Sequence, residues 1–338
     1  MANLAISAVC NQNCPYCFTA DHRAALAAQQ PGRERDYLGL KALDLRLDFL
    51  KRSGIDQARL IGGEPTLHPQ FAQIVERARE AGFTVAVFSN GLMPESVLSY
   101  LASLPVAECS VLVNVNDPAR AGDRAHARRR AALRRLGKRA AIGFNLYRPD
   151  LRLDFILPLI AETGCQPAVR LGIAQPCLSG VNQHIHPRQY TAAGTQIARF
   201  VRAAVQAGVK VEFDCGFVPC MFAEQDLKML QNAGSDVGWH CNPILDVDVE
   251  GRVLHCYPLS SLCSFPLSRD ADAPSLRKAF ESRTRLYRQA GVFQECSTCP
   301  YKASGEYPGG CLAAAIRRFH HTPFRLHIPR PVARQELH

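Results

Sequence analysis

Apolar positions along the chain fall into short runs with strand spacing, separated by longer stretches with helical spacing. Residues 3–9 alternate as a strand does, and within 39–52 Leu40, Leu43, Leu47 and Leu50 share one stripe of an amphipathic helix that Gly54 ends. From there the pattern repeats: strands are predicted at 57–61, 84–88, 109–115, 141–146 and 167–173, helices at 69–81, 95–104, 124–136, 151–163 and 187–207. With the first strand and helix this makes six βα units. The alternation predicts an α/β chain with a parallel sheet and outer helices, a partial (β/α)6 barrel. Chemistry is then expected at the C-terminal strand ends, as in the closed barrel. A further strand is expected at 209–214, a hairpin around the Glu250-Gly251 turn, and a helix at 312–319.

The polar residues that break this pattern gather at the predicted strand ends. Directly after the first strand stand Cys10, Cys14 and Cys17, three thiols within eight residues. Three thiolates do not complete the shell of a structural zinc; they suit a [4Fe–4S] cluster with one iron left open. Gly62-Gly63-Glu64-Pro65 closes the second strand, where glycines allow close backbone approach and a carboxylate or carbonyl can accept hydrogen bonds. Ser89-Asn90-Gly91 closes the third. Asn114 and Asn145 end the fourth and fifth and Arg170 lies in the sixth; each either reaches a ligand or is satisfied within the barrel. The last third is again rich in cysteine: Cys215, Cys220, Cys241, Cys256, Cys296, Cys299 and Cys311. Cys109, Cys165, Cys177 and Cys263 are expected to be small core residues.

The C-x3-C-x2-C spacing, with Tyr16 before the last Cys and Gly62-Gly63-Glu64-Pro65 some 45 residues on, resembles the signature of the radical S-adenosylmethionine (radical SAM) enzymes. The resemblance implies that Cys10, Cys14 and Cys17 hold the [4Fe–4S] cluster, whose open iron S-adenosylmethionine chelates before reductive cleavage to a 5′-deoxyadenosyl radical that abstracts hydrogen from a substrate. Tyr16 would then lie near the adenine, with Gly62, Gly63, Glu64, Pro65, Ser89, Asn90, Asn145 and Arg170 around the cofactor. The later cysteines resemble the SPASM and twitch extensions that carry auxiliary [4Fe–4S] clusters. Tyr307 stands where the full pattern has another Cys, so one auxiliary cluster is expected. Cys241, Cys256, Cys296 and Cys299 match the shorter pattern, Cys311 can replace one of them, and a zinc site is the alternative. Cys215 and Cys220 are either ligands, a hydrogen-donating thiol of an epimerase, or inert.

Composition narrows the rest. An apolar fraction of 47% with 21% charged residues is that of a globular protein. No run approaches a membrane span, and no signal-peptide pattern opens the chain. Fourteen Cys without an export signal point to metal or redox work in a cytoplasmic, oxygen-sensitive protein. The net charge of +10 is densest at Arg128, Arg129, Arg130, Arg134, Arg135, Lys138 and Arg139, either a solvated helix face or a docking face; no nucleic-acid signature accompanies it. The expected division is 1–208 for the barrel, 209–320 for the extension and 321–338 for a basic tail. The resemblance implies a ribosomally made peptide as substrate, epimerised or cross-linked, with a small molecule as the alternative and RNA as a rival. It also implies an electron donor such as flavodoxin or ferredoxin. With the first Cys at position 10, leader recognition would fall to another protein or to the barrel surface.

Overall fold

A computed structural model describes residues 1–29, 36–180, 182–233, 239, 241 and 244–319; the expected basic tail at 321–338 lies outside them. The barrel elements follow in order: β1 (Ala2–Ser7), α1 (Ala20–Gln29), α2 (Leu40–Arg52), β2 (Gln57–Gly62), α3 (Phe71–Glu80), β3 (Thr84–Ser89), α4 (Glu95–Ser103), β4 (Cys109–Val115), α5 (Pro118–Ala121), α6 (Asp123–Leu136), β5 (Ala140–Leu146), α7 (Ile156–Thr163), β6 (Ala168–Ile173) and α8 (Tyr190–Gln206). Then come β7 (Lys210–Phe213), α9 (Glu224–Asn232), β8 (Leu245–Val247), β9 (Arg252–Leu254), β10 (Ser264–Pro266), α10 (Ala273–Ala290), α11 (Pro300–Ala303) and α12 (Leu312–Phe319).

One ten-stranded sheet runs β10-β9-β8-β1-β2-β3-β4-β5-β6-β7. Strands β1 to β7 pair in parallel, and β8 joins the other edge of β1, also in parallel. The antiparallel hairpin β8–β9 and strand β10 complete that edge. Two expectations change. The parallel sheet continues past residue 208 into β7, and the predicted hairpin extends the barrel sheet rather than standing apart from it. Both follow from unsatisfied strand edges, which pair wherever a strand of compatible pattern is offered.

The core lies between sheet and helices. Leu4, Ile6, Leu60, Val85, Val87, Val111, Val113, Ile142 and Phe144 face Leu43, Leu47, Leu50, Phe71, Ile74 and Leu133. Helix α10 was not read from the sequence, although its signals are present. Asp272 caps it, accepting from Ser275 N, with Pro at the start, and Leu276 and Phe280 are buried four residues apart.

The basic helix α6 is largely accounted for by neighbours. Arg135 pairs with Glu95 at 2.7 Å, Arg130 and Arg134 share Glu162, and Arg139 donates to Leu104 O at 2.6 Å. Arg129 is only 1% exposed and turns inward. Among the described residues no helix is long and apolar enough to cross a membrane.

Candidate active site

The loop after β1 brings Cys10, Cys14 and Cys17 to one cavity of about 290 Å³ at the C-terminal strand ends. A tight turn, Cys17 N to Cys14 O at 3.1 Å, folds the segment back. Gln12 N donates to Cys10 Sγ at 3.4 Å and Asn90 Nδ2 approaches it at 3.9 Å. Thr19 Oγ1 lies 3.3 Å from Cys17 Sγ, with Arg23 Nη2 at 4.0 Å. Burial pushes the Cys10 and Cys14 thiols up, and their mutual charge with Cys17 adds to it. Buried side by side, thiols resist ionisation unless a cation takes up the charge of the thiolates.

Gly62, Gly63 and Glu64 tie the end of β2 to the segment after β1. A Cβ on Gly62 or Gly63 would fall on the Ser7 or Val9 carbonyl, because Gly63 N and Glu64 N both bond the end of β1, each at 2.7 Å. Gly62 and Gly63 line the cavity; Glu64 and Pro65 do not. Glu64 is 1% exposed. Its carboxylate accepts from Thr66 N at 3.2 Å, Thr66 Oγ1 at 2.5 Å, Ser89 Oγ at 2.8 Å and Asn90 N at 2.7 Å. Burial raises its pKa while those donors pull it down. With both oxygens occupied, Glu64 is a clamp between the ends of β2 and β3, not an acceptor facing the cavity.

Asn90 extends the clamp, bonding Asn11 Oδ1 at 2.8 Å and Leu92 N at 2.9 Å. From α6, Arg129 donates to Asn90 O at 2.8 Å and Gln12 Oε1 at 2.9 Å. Reading α6 as an outer face missed this residue; its phase on the helix, level with buried Ala132, Leu133 and Leu136, was the available signal. Tyr16 donates to Asn116 Oδ1 at 2.6 Å and stacks on Tyr147 at 4.8 Å.

Inside the barrel the sheet register sets out a polar lining. Asn114 faces Gly143 on the next strand and Asn145 faces Gly172. A Cβ at either glycine would run into the asparagine carbonyl, so these two positions keep room for the amides. Deeper, Asp246, Asn3 and Arg59 are cross-strand neighbours on β8, β1 and β2. Asn3 Nδ2 donates to Asp246 Oδ1 at 2.8 Å and Tyr257 N to Oδ2 at 2.9 Å. Burial dominates all the same and pushes the Asp246 carboxyl up to about 7. Arg170 pairs with Asp214 at 2.8 Å.

The later cysteines divide into two groups, and the expected quartet is split between them. Cys215, Cys241, Cys256 and Cys311 all line the same cavity as the loop trio. After burial, which raises each most, Cys215 feels Asp214, Cys241 and Cys311, and Cys256 feels Cys241 and Cys311; burial and Cys241 push Cys311 up to about 12. Cys215 is exposed and lines the cavity, where the protein packed around it desolvates the thiol. Cys220, Cys296 and Cys299 line no part of that cavity. Burial, then Cys296 and Cys299, push Cys220 up to about 11. Tyr307, 3% exposed, stands with this outer group. Two of the cysteines expected together, Cys296 and Cys299, are therefore apart from Cys241 and Cys256. The four cavity thiols come from loops 26, 15 and 55 positions apart in sequence, a grouping spacing alone does not reveal.

The Radical SAM superfamily profile matches residues 4–139, the stretch that contains the loop trio, the Glu64 clamp and Arg129. Residues 4–139 carry the radical SAM domain. Among curated proteins it is 34% identical over 118 residues to an S-adenosylmethionine-dependent nucleotide dehydratase of Selenomonas ruminantium, a match covering 32% of this chain and 39% of that relative. It therefore spans well under half the length of that protein. A PqqA peptide cyclase of Xanthomonas campestris pv. campestris (strain B100) is 24% identical over 324 residues, covering 91% of this chain and 80% of the relative. Among solved structures, native anSMEcpe with bound AdoMet superposes with a TM-score of 0.63 at 16% identity, over 92% of this chain and 89% of that one; at this identity it shows the shared fold.

The radical SAM trio fits the cluster its family implies. Three soft thiols stand on one loop with Arg23 beside them, and burial pushes Cys10 and Cys14 up, a setting in which the thiolate form needs a cation. Among the described residues no three Cys, His, Asp or Glu side chains converge as they would on a single ion.

Proposed function

We propose that the chain is a radical SAM enzyme that modifies a peptide oxidatively, joining two of its residues with net loss of two hydrogens. The observation that carries the reading is one cavity lined both by Cys10, Cys14 and Cys17 and by Cys215, Cys241, Cys256 and Cys311. The match to a peptide cyclase across both cysteine regions supports it. Cys10, Cys14 and Cys17 would hold the catalytic [4Fe–4S] cluster; with S-adenosylmethionine bound, it supplies a 5′-deoxyadenosyl radical. Cys215, Cys241, Cys256 and Cys311 would hold one auxiliary cluster and give the same cavity a second group with one-electron redox capacity.

The chain's own residues do the positioning. Glu64, Asn90 and Arg129 fix the loop, Gly62 and Gly63 offer close backbone approach, and Tyr16, Asn114, Asn116 and Asn145 offer the polar surface for the cofactor's sugar and base. Cys215 as a ligand leaves no free thiol in the cavity among the described residues, and Cys220 lies away from it. Cross-linking is therefore favoured over epimerisation, which needs a donor thiol beside the substrate radical. The extension from residue 209 acts as part of the same wall.

The test is anaerobic reconstitution of the full chain with S-adenosylmethionine, dithionite and a precursor peptide encoded beside its gene. The expected products are 5′-deoxyadenosine and a peptide two mass units lighter. A product one unit heavier in deuterated water would replace cross-linking by epimerisation. Turnover of nucleotides and of no peptide would overturn the peptide reading.

A further inference from the structure

The barrel floor carries charge that neither the cofactor loop nor the two thiol groups use. Arg59 sits in the middle of β2, 6% exposed, and lines the cavity. Its guanidinium lies over the Phe88 ring at 4.8 Å and that of Arg170 over the same ring at 5.6 Å. Arg170 has a counter-ion, Asp214 at 2.8 Å. Arg59 has none within ion-pair distance among the described residues. Its Nη1 donates to Met1 Sδ at 3.2 Å, a weak acceptor, and its Nε is buried without a partner. The nearby Asp246 oxygens are taken by Asn3 Nδ2 and Tyr257 N.

Burying a guanidinium without a hydrogen-bonded anion is unfavourable, and proteins avoid it where nothing is gained. A sequence free to choose would place Val or Ile here, like its neighbours Leu60 and Ile61. Ala86, the residue opposite Arg59 on β3, is small and leaves the guanidinium reach into the cavity. A second group points the same way. Gln175, at the end of β6 and 7% exposed, lines the cavity with neither amide atom partnered. An amide with a free donor and a free acceptor is suited to a peptide group.

We propose that Arg59, with Arg170 beside it across Phe88, is the substrate subsite of this cavity and takes a carboxylate, with Gln175 reading an adjoining amide. This rests on the peptide reading above only for the kind of molecule that carries the carboxylate. Within that reading the ligand is a peptide presenting an acidic side chain or its C-terminal carboxylate to the barrel floor. A planar guanidinium binds a carboxylate through two parallel N–H donors. Phe88 holds both cations by their faces, leaving their edges for the ligand.

The test uses the full chain, reconstituted anaerobically, with glutarate and glutaramide as probes of equal shape. Glutarate should bind about tenfold more tightly and should raise the thermal midpoint where glutaramide does not. Arg59→Met should erase that preference, and its ligand-free midpoint should not fall, because an unpaired buried charge has been removed; a residue kept for stability would show the opposite. Arg59→Lys should retain part of the preference, which separates lost charge from misfolding. In a second arm, candidate precursor peptides are compared with Glu-to-Gln and C-terminally amidated versions, to tell a side chain from a terminus. Equal binding of the two probes, or a preference that survives in Arg59→Met, would overturn the subsite. Arg59-dependent glutarate binding with no peptide turned over would overturn only the peptide reading.

Discussion

The two thiol-bearing walls of the cavity are built in opposite ways. Cys10, Cys14 and Cys17 share one loop, held by its own turn and by donors from β3 and α6. Cys215, Cys241, Cys256 and Cys311 come from four separate places, after β7, before β8, after β9 and before α12, and only the sheet brings them together. The trio and Cys256 are half-buried and Cys311 is buried; burial pushes the Cys256 thiol well up and the Cys311 thiol up to about 12, while the trio lies beside Arg23. A local loop can be assembled before the barrel closes. A group drawn from four elements forms only with the whole fold, and an unligated set of buried thiols there is correspondingly more dependent on metal.

The largest expected effect separates the inner four from the outer three. Cys241→Ala with Cys256→Ala should remove about half the iron, one [4Fe–4S] cluster of two, as counted after anaerobic reconstitution. Cys296→Ala with Cys299→Ala should leave the iron count unchanged. Iron lost from the second pair instead would break the comparison and restore the pairing read from spacing.

That contrast also marks what the sequence could tell. The parallel barrel was legible because each strand is a short apolar run and each helix an amphipathic stripe. The trio was legible because its ligands lie within eight residues. The grouping of Cys215 with Cys311 was not, since it depends on β7 joining β6 and on β8 joining β1. Glu64 stood out in its motif but its donors did not: Ser89 and Asn90 lie at the end of a different strand, and the clamp exists only once β2 and β3 are in register. Arg59 was passed over, although a charge inside the apolar run of β2 was the visible anomaly. Cys109 and Cys165 are core residues, 1% exposed each, as the pattern suggested.

The clamp that holds the trio gives the next prediction. Glu64→Gln places an amide N–H2 against the Asn90 or Thr66 N–H, leaving a buried donor unmet. The expected cost is about 1–3 kcal/mol, read by denaturant unfolding, with a parallel loss of S-adenosylmethionine cleavage. An unchanged midpoint would mean that the loop is held elsewhere.

A pH-dependent effect sharpens the other wall. The carboxyl of Asp246 is raised by burial to about 7 in the folded chain and would titrate near 3.9 when unfolded. Between those values the folded state keeps a proton that the unfolded state has released. Stability should therefore decline as pH rises from about 4 to 7. Asp248, two residues on, acts with the opposite sign: against the cost of burial, His22 and Arg252 hold its carboxyl below the usual range, so its contribution is present at neutral pH and lost as pH falls through the acid range. Asp246→Asn should flatten the decline by up to about 4 kcal/mol; an unaltered pH–stability profile would show that this carboxyl ionises freely.

The central claim is that the loop trio alone drives radical chemistry while the inner four hold iron independently. The most direct measurement is 5′-deoxyadenosine formation under dithionite by the chain carrying Cys10→Ala, Cys14→Ala and Cys17→Ala, with its iron counted by Mössbauer spectroscopy. The account predicts no 5′-deoxyadenosine and one remaining [4Fe–4S] cluster. Undiminished cleavage of S-adenosylmethionine in that variant would contradict it.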